Sequence, residues 1–284
     1  MIVPSIEPST LSPFRYPGGK SALRPKVINW IRNLGYRVNH FIEPFAGGSS
    51  VALAIAELDL ADSIILAELD PDVAAVWNVI LNGQADAFAA KIRNFNLTKA
   101  SARETLDAKC RDRLDRAFRC LLQNRISRGG IMAPGAGVLN YGEAGKGIQS
   151  RWYPDTLAKR IEAIHAIRHK LKFVEDDGIK LLRKFSSTAQ TAAFVDPPYV
   201  VGGRGAGLRL YRHHQVDYKE LFKVIQDFCG PMIITYHRSE IVEREARNAG
   251  VDCHTVSMHT AHTISKRQLI LYKPASNGAV SRSN

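Results

Sequence analysis

Cysteine is scarce and unpatterned in this sequence. Its four copies stand at 110, 120, 229 and 253 of 284 residues, which excludes a disulfide framework or a Cys-x-x-Cys metal or redox site and points to reduced thiols. Long apolar runs are absent too. No stretch approaches 18 consecutive apolar residues, so no membrane-spanning helix is expected, and no strongly basic amphipathic segment stands apart to lie on a membrane surface. Met1 to Pro13 lack the charged start and apolar middle of a secretory signal, which leads to the expectation of a cytoplasmic location. Acidic residues are in short supply, 27 against 39 Lys and Arg, for a net charge of +12. Such an excess favours a polyanionic partner, nucleic acid first, because each neutralised phosphate releases condensed counterions. No internal repeat is visible.

What is present suffices for a full core. An apolar content of 45% over this length fits one large domain or a domain carrying an insertion. Apolar strand-like runs alternate with helical periodicity, the pattern of an α/β sheet. Strands are expected at Phe41-Ile42, Ile64 to Leu66, Ala192 to Val195, Met232 to Thr235, Val251 to Val256 and Gln268 to Tyr272. Between the second and third of these lies a long interval, roughly 83–173, helical at both ends and loop-like in its middle. An ordinary crossover is far shorter, so an inserted subdomain is expected there. One long helix is read through Leu106, Cys110, Leu114, Phe118, Leu121 and Leu122, with Arg111, Arg113, Arg116 and Arg119 on other faces. Arg125 to Gly130 then opens a basic, glycine-rich segment able to follow a phosphate backbone.

Three strand ends carry the chemistry. Ala192 to Val195 reads as a buried strand stopped by Asp196-Pro197-Pro198-Tyr199, since proline removes backbone donors and fixes the chain. A carboxylate, a free carbonyl and an aromatic face on a stiff segment suit a flat ring bearing an exocyclic NH2: Asp196 and the Pro197 carbonyl accept its hydrogens and Tyr199 stacks on it. Asp-Pro-Pro is equally an ordinary strand-ending turn. Phe41 to Ser50 is a strand entering a glycine turn before a helix, with neither the dinucleotide spacing nor the Lys-Ser/Thr of a phosphate-binding loop. Glu43 ahead of that turn repels a pyrophosphate but attracts the ammonium of a methionine-type ligand, and Glu68 after the next strand is placed for ribose hydroxyls. Turn and acids together describe an S-adenosylmethionine pocket.

With these motifs the chain resembles the DNA adenine N6-methyltransferases of the Dam type, the D12 class, over nearly its whole length. Phe14-Arg15-Tyr16-Pro17-Gly18-Gly19-Lys20 looks like the family's N-terminal aromatic-x-Gly-Gly-Lys motif, Glu43 to Gly48 its Asp-Pro-Phe-x-Gly-Gly motif, Glu68 its ribose-binding acid, and Asp196 to Tyr199 its Asp-Pro-Pro-Tyr. Glutamate stands at 43 and 68 where family members commonly have aspartate. Val174 to Gly178 is similar to the strand end whose acid faces the cofactor's adenine amine, and Asn124 to Gly130 to the Asn-Arg stretch near the DNA-contacting loop. The resemblance implies a Rossmann-like S-adenosylmethionine-dependent methyltransferase fold with late antiparallel strands. Its catalytic domain would span 1–82 and 174–276, its mainly helical target-recognition insertion 83–173, and its tail 277–284. It implies Asp196, Pro197 and Tyr199 as catalytic residues, and Tyr16, Lys20, Glu43, Phe45, Gly47, Glu68, Asp177 and Asp196 as cofactor contacts. Arg125 and Arg128 become the candidate DNA contacts. It further implies double-stranded DNA as partner, S-adenosylhomocysteine as product, no metal, a monomer, and a possible cognate restriction endonuclease in a bacterial or phage-infected cell.

Competing readings are an N4-cytosine methyltransferase, for which serine is usual where Asp196 stands, an RNA or protein methyltransferase, and an inactive DNA-binding module of the same fold. Cys253-His254 with His259 and His262 is loosely metal-like, but falls on a strand and its turn where alternate polar positions face solvent. His213-His214, beside Arg209, Tyr211 and Arg212, and Tyr236-His237-Arg238 at another strand end are read as structural or as nucleotide contacts.

Overall fold

The computed structural model describes residues 11–15, 20–132, 137–142, 145–198, 216–237, 239–260 and 263–275. Tyr16 and Tyr199, with His213, His214 and His262, lie outside these residues.

Among the described residues seven strands form one sheet: β1 (Val38–Glu43), β2 (Ala61–Ala67), β3 (Leu171–Val174), β4 (Thr191–Val195), β5 (Met232–His237), β6 (Asp252–Thr260) and β7 (Thr263–Lys273). Their order is β3-β2-β1-β4-β5-β7-β6. The pairs β3-β2, β2-β1, β1-β4 and β4-β5 are parallel, and β7 runs antiparallel to both β5 and β6. This is the α/β fold with late antiparallel strands expected of a Rossmann-like methyltransferase. Chain order reverses between β1 and β4, so their carboxyl ends open a crevice where ligands of such sheets bind. The β4 run Thr191 to Val195 is wholly buried, as a parallel strand covered on both faces requires.

Among the described residues ten helices flank the sheet: α1 (Arg24–Arg32), α2 (Ser50–Glu57), α3 (Pro71–Leu81), α4 (Ala85–Asn94), α5 (Lys99–Asp107), α6 (Arg113–Ile126), α7 (Pro154–Ala166), α8 (Gly178–Lys184), α9 (Tyr218–Asp227) and α10 (Glu240–Asn248). One apolar cluster joins Phe41 and Ile64 of the sheet to Trp77 of α3, Phe88 of α4, Phe118 of α6 and Ile161 of α7. A second, on the other face, gathers Ile42, Val195 and Ile234 with Leu182 of α8, Ile225 of α9 and Val242 of α10.

Two local readings change. The single long helix is two, because Asp112 takes an extended backbone and accepts the Asp115 amide, capping α6 afresh. The strand β3 begins at Leu171, inside the interval read as an insertion, and pairs with β2 from Leu171↔Ile64 to Val174↔Ala67. Among the described residues no helix is long and apolar enough to cross a membrane.

Candidate active site

The carboxyl ends of β1, β2 and β4 open into a cavity of about 590 Å³, within the usual size range of small-molecule sites. Glu43, Phe45, Gly47, Glu68, Asp177, Asp196 and Lys20 all line it. Residues named from segments up to 176 positions apart (196 − 20) therefore share one space.

The turn after β1 is pinned from both sides. Gly47, at φ +45°, donates its amide to Glu68 Oε2 at 2.9 Å and accepts at its carbonyl from Trp77 Nε1 at 2.9 Å. Glu68 uses its second oxygen for the Asp70 amide at 3.0 Å. Glu43, 4% exposed, accepts from the Ala52 amide at the start of α2. Burial pushes the Glu43 carboxyl well above the usual carboxylate range, only partly opposed by that amide, and Asp196 nearby adds to the rise while Lys20 opposes it. Burial likewise raises Glu68, against the amides of Asp70 and Gly47. Desolvated acids of this kind mark sites held ready for a cation or a hydroxyl donor.

Glu43 therefore holds its proton to higher pH in the folded chain than in the unfolded one. The stability it contributes is present below the ordinary carboxylate pKa and is lost as pH rises through the raised value. Glu43→Gln removes the loss. The melting temperature of the ligand-free variant should exceed that of wild type by a margin that widens as pH climbs above the ordinary carboxylate range, whereas affinity for a cationic ligand should fall. Thermal melts at stepped pH with ligand titrations check both signs.

Asp177 lies at the cavity and also caps α8, accepting from the Ile179 amide at 2.7 Å. The next residue, Gly178, meets the β1 turn so closely that a Cβ would stand 2.1 Å from the Pro44 carbonyl oxygen. Gly178→Ala should force the two strand ends apart, costing about 1–3 kcal/mol as overpacking does and weakening ligand binding. Denaturant melts and calorimetric titration measure the two effects.

Asp196 is held at both oxygens. Lys20 Nζ, on a side chain 5% exposed, lies 2.9 Å from Oδ2, and the Thr235 hydroxyl donates to Oδ1. The β4-β5 register explains the second contact: Val195 pairs with Ile234, so Asp196 comes opposite Thr235. Thr235, wholly buried, was not singled out from the sequence. Its only sequence signal is that position one step beyond the last paired residue of a parallel neighbour. Leu69, 49% exposed, and Ile179 add apolar cavity wall and were missed as well, because isolated aliphatic residues carry no motif.

The two candidate DNA contacts separate. Arg128 is exposed at the base of a reversal in which its amide donates to the Gly137 carbonyl and Ser127 bridges Val138. Arg125 is buried. At 4% exposure it donates through Nη2 to the Pro13 carbonyl, so it fastens the N-terminal segment and is turned away from a partner in solvent. The preceding Asn124 likewise brackets Arg15, accepting from its amide and donating to its carbonyl.

The donor set fits S-adenosylmethionine. Buried acids answer an ammonium and ribose hydroxyls, the carboxylate of Asp177 answers a ring amine, and Phe45, Leu69 and Ile179 offer apolar walls to a purine. Glu43, Glu68, Phe45 and Gly47 would hold its methionine and ribose parts, and Asp177 its base. Among the described residues no group of three or more His, Cys, Asp or Glu is placed to hold a metal.

Solved structures similar to this chain include an S-adenosylmethionine-dependent methyltransferase of Agrobacterium tumefaciens, at 9% identity over 90% of this chain and 62% of that one, TM-score 0.41. A precorrin-6y C5,15-methyltransferase of Geobacter metallireducens matches at 10% identity over 88% and 87%, TM-score 0.38. The human methyltransferase 10 domain containing protein matches at 11% over 89% and 81%, TM-score 0.41. Likenesses this weak carry no argument about function. No curated protein matches the sequence. The sequence pattern of the D12 class N6 adenine-specific DNA methyltransferases matches residues 16–260, a span that includes Gly18-Gly19-Lys20, Glu43 to Gly48 and Asp196 to Tyr199, and the chain belongs to that family.

Proposed function

We propose that this enzyme, an adenine-specific DNA methyltransferase using S-adenosylmethionine, acts on N6 of an adenine flipped out of duplex DNA at a specific sequence. The observation that carries the reading is Asp196. It stands at the end of β4 in the cavity that holds Glu43 and Glu68, with Lys20 and Thr235 fixing its two oxygens.

Within a duplex, N6 is inaccessible to in-line attack, and extruding the base costs a few kcal/mol. The net positive surface offsets that cost through phosphate contacts. When bound, S-adenosylmethionine supplies an activated methyl group on a cationic sulfur. The protein's part is to orient and to accept. Asp196 and the Pro197 carbonyl take the two N6 hydrogens, so the nitrogen lone pair is directed toward the methyl group and no water competes for it. Tyr199 stacks on the ring. Holding the two reactants in line lowers the barrier by removing translational and rotational freedom before the reaction begins. The Asp196 carboxylate, or water next to it, receives the proton released after transfer. Thr235 and Lys20 keep that carboxylate from swinging. Thr235→Val should therefore lower kcat about tenfold, the worth of one hydrogen bond to a charged group, and Thr235→Ser should restore it. Steady-state kinetics on both variants checks this.

Target recognition is assigned to the insertion, which ends before β3 at 170, with the catalytic unit in 1–82 and 171–276. The loop segment after α6 reaches the cavity through Gly129 and Met132, which supports that assignment, and Arg128 is its exposed cation. Incubating duplex DNA with S-adenosylmethionine and identifying the modified nucleoside tests the reading. N6-methyladenine is expected, and N4-methylcytosine as sole product would overturn it.

A further inference from the structure

Several arginines among the described residues have a carboxylate partner. Arg37 pairs with Asp59 and Asp62, Arg93 with Glu162, Arg183 with Glu220 and Arg111 with Asp115, and Arg116 and Arg119 both approach Asp72. One group departs from this pattern. Arg160 donates to the Ser12 carbonyl at 3.1 Å and Arg125 to the Pro13 carbonyl. Arg15 has a buried Nη1, and Arg125 a buried Nε, with no hydrogen-bond partner. None of these three is ion-paired to a carboxylate among the described residues, although Arg15 and Arg160 line the same cavity as Asp196.

Their charges are close enough to oppose one another. Burial, then Arg160, Arg15 and Arg151, pull the Arg125 guanidinium down to about 9, and burial followed by Arg151 lowers Arg15. Even so, these groups are cationic at neutral pH. Unpaired buried charge with unused N–H donors is costly, and Arg15, Arg125 and Arg160 meet backbone carbonyls or nothing where a carboxylate would neutralise them. The acids Glu43, Glu68, Asp177 and Asp196 line the same cavity. The cavity thus has groups for a cationic, hydroxylated ligand and groups for an anion.

We propose that Arg15 and Arg160, supported by the field of Arg125 and Arg151, form a phosphate seat in the cavity wall, taking the backbone phosphate beside the flipped nucleotide. A guanidinium fork matches phosphate oxygens bidentately. The site rests on the reading that a nucleotide of DNA enters this cavity. It would hold the sugar-phosphate in place while Asp196 engages the base, coupling backbone capture to base orientation. The same chemistry fits the methionine carboxylate of the cofactor, and the test separates the two.

Duplex DNA binding by the full chain is measured against salt, and KM for DNA and for S-adenosylmethionine separately, in wild type, Arg160→Gln and Arg15→Gln. Each substitution should weaken DNA binding about tenfold and reduce the slope of log affinity against log salt by about one, with KM for S-adenosylmethionine unchanged and Arg160→Lys partly restoring binding. Two variants guard against one failing to fold, and the melting temperature of each is recorded. A rise in KM for S-adenosylmethionine at constant DNA affinity would overturn the proposal in favour of a carboxylate seat. Unchanged DNA affinity and salt slope in folded variants would overturn it outright. Wild type that binds DNA with this arginine dependence but forms no methylated base would sink the functional reading while leaving the seat standing.

Discussion

Asp196→Ala is expected to lower kcat for methyl transfer by on the order of 10³-fold, within the range that a positioned proton acceptor supplies. The side chain is the one acidic group in the cavity borne on the strand-end segment with the Pro197 carbonyl, and its two oxygens are fixed from different directions, by Lys20 from the N-terminal motif and by Thr235 from β5. Removing it takes away an acceptor for the N6 hydrogens and the group nearest the departing proton. Asp196→Asn keeps the shape and one acceptor but cannot pair with the Lys20 ammonium, so it should fall between alanine and wild type. Single-turnover transfer of labelled methyl groups, with cofactor affinity measured in parallel, separates loss of chemistry from loss of binding. Equal loss in both variants would mean that charge, rather than the acceptor geometry, carries the effect.

Lys20→Met should be the largest perturbation of stability in the site. Lys20 is 5% exposed and Asp196 22%, so the pair is largely desolvated, and breaking such a pair by removing one partner costs about 3–5 kcal/mol. The exposure of Asp196 places the expected loss near the lower end, at about 3 kcal/mol. A second consequence separates this from a simple packing defect. Lys20 currently lowers the Glu43 carboxyl against its burial and against Asp196, so the substitution should raise Glu43 further. Stability of the variant, relative to wild type, should then decline more steeply as pH rises, because the raised group loses its contribution as pH passes its folded value. Urea melts at several pH values read both quantities. Turnover should fall with them, since Asp196 loses one of its two restraints.

The sheet was largely legible from the sequence because parallel strands buried on both faces print as continuous apolar runs: Ile64 to Leu66, Ala192 to Val195 and Met232 to Thr235 all fall within observed strands. The edge strand β3 was harder to read. Leu171 to Val174 is only four residues with a single buried position, so nothing apolar and continuous marks it. The join between α5 and α6 was hidden because the stripe of apolar residues runs on across it, while the extended backbone at Ala108 and the cap at Asp112 break the helix.

In the site, residues with a chemical signature were found and those defined by placement were not. Glu43, Glu68 and Asp196 announce themselves as acids at strand ends. The partners that hold them do not, since Lys20 and Asp196 stand 176 positions apart (196 − 20) and Thr235 follows only from the β4-β5 register. Arg125 shows the reverse case. A basic residue beside a glycine-rich loop reads as a surface contact until its burial under Pro13 is seen.

The most direct measurement is nucleoside analysis of unmethylated duplex DNA after incubation with S-adenosylmethionine and either wild type or Asp196→Ala at matched cofactor occupancy. N6-methyladenine formed by wild type, and absent or reduced on the order of 10³-fold with the variant, is the predicted result. N4-methylcytosine, or wild-type cofactor binding without any methylated base, would contradict the assignment of this cavity to adenine N6 transfer.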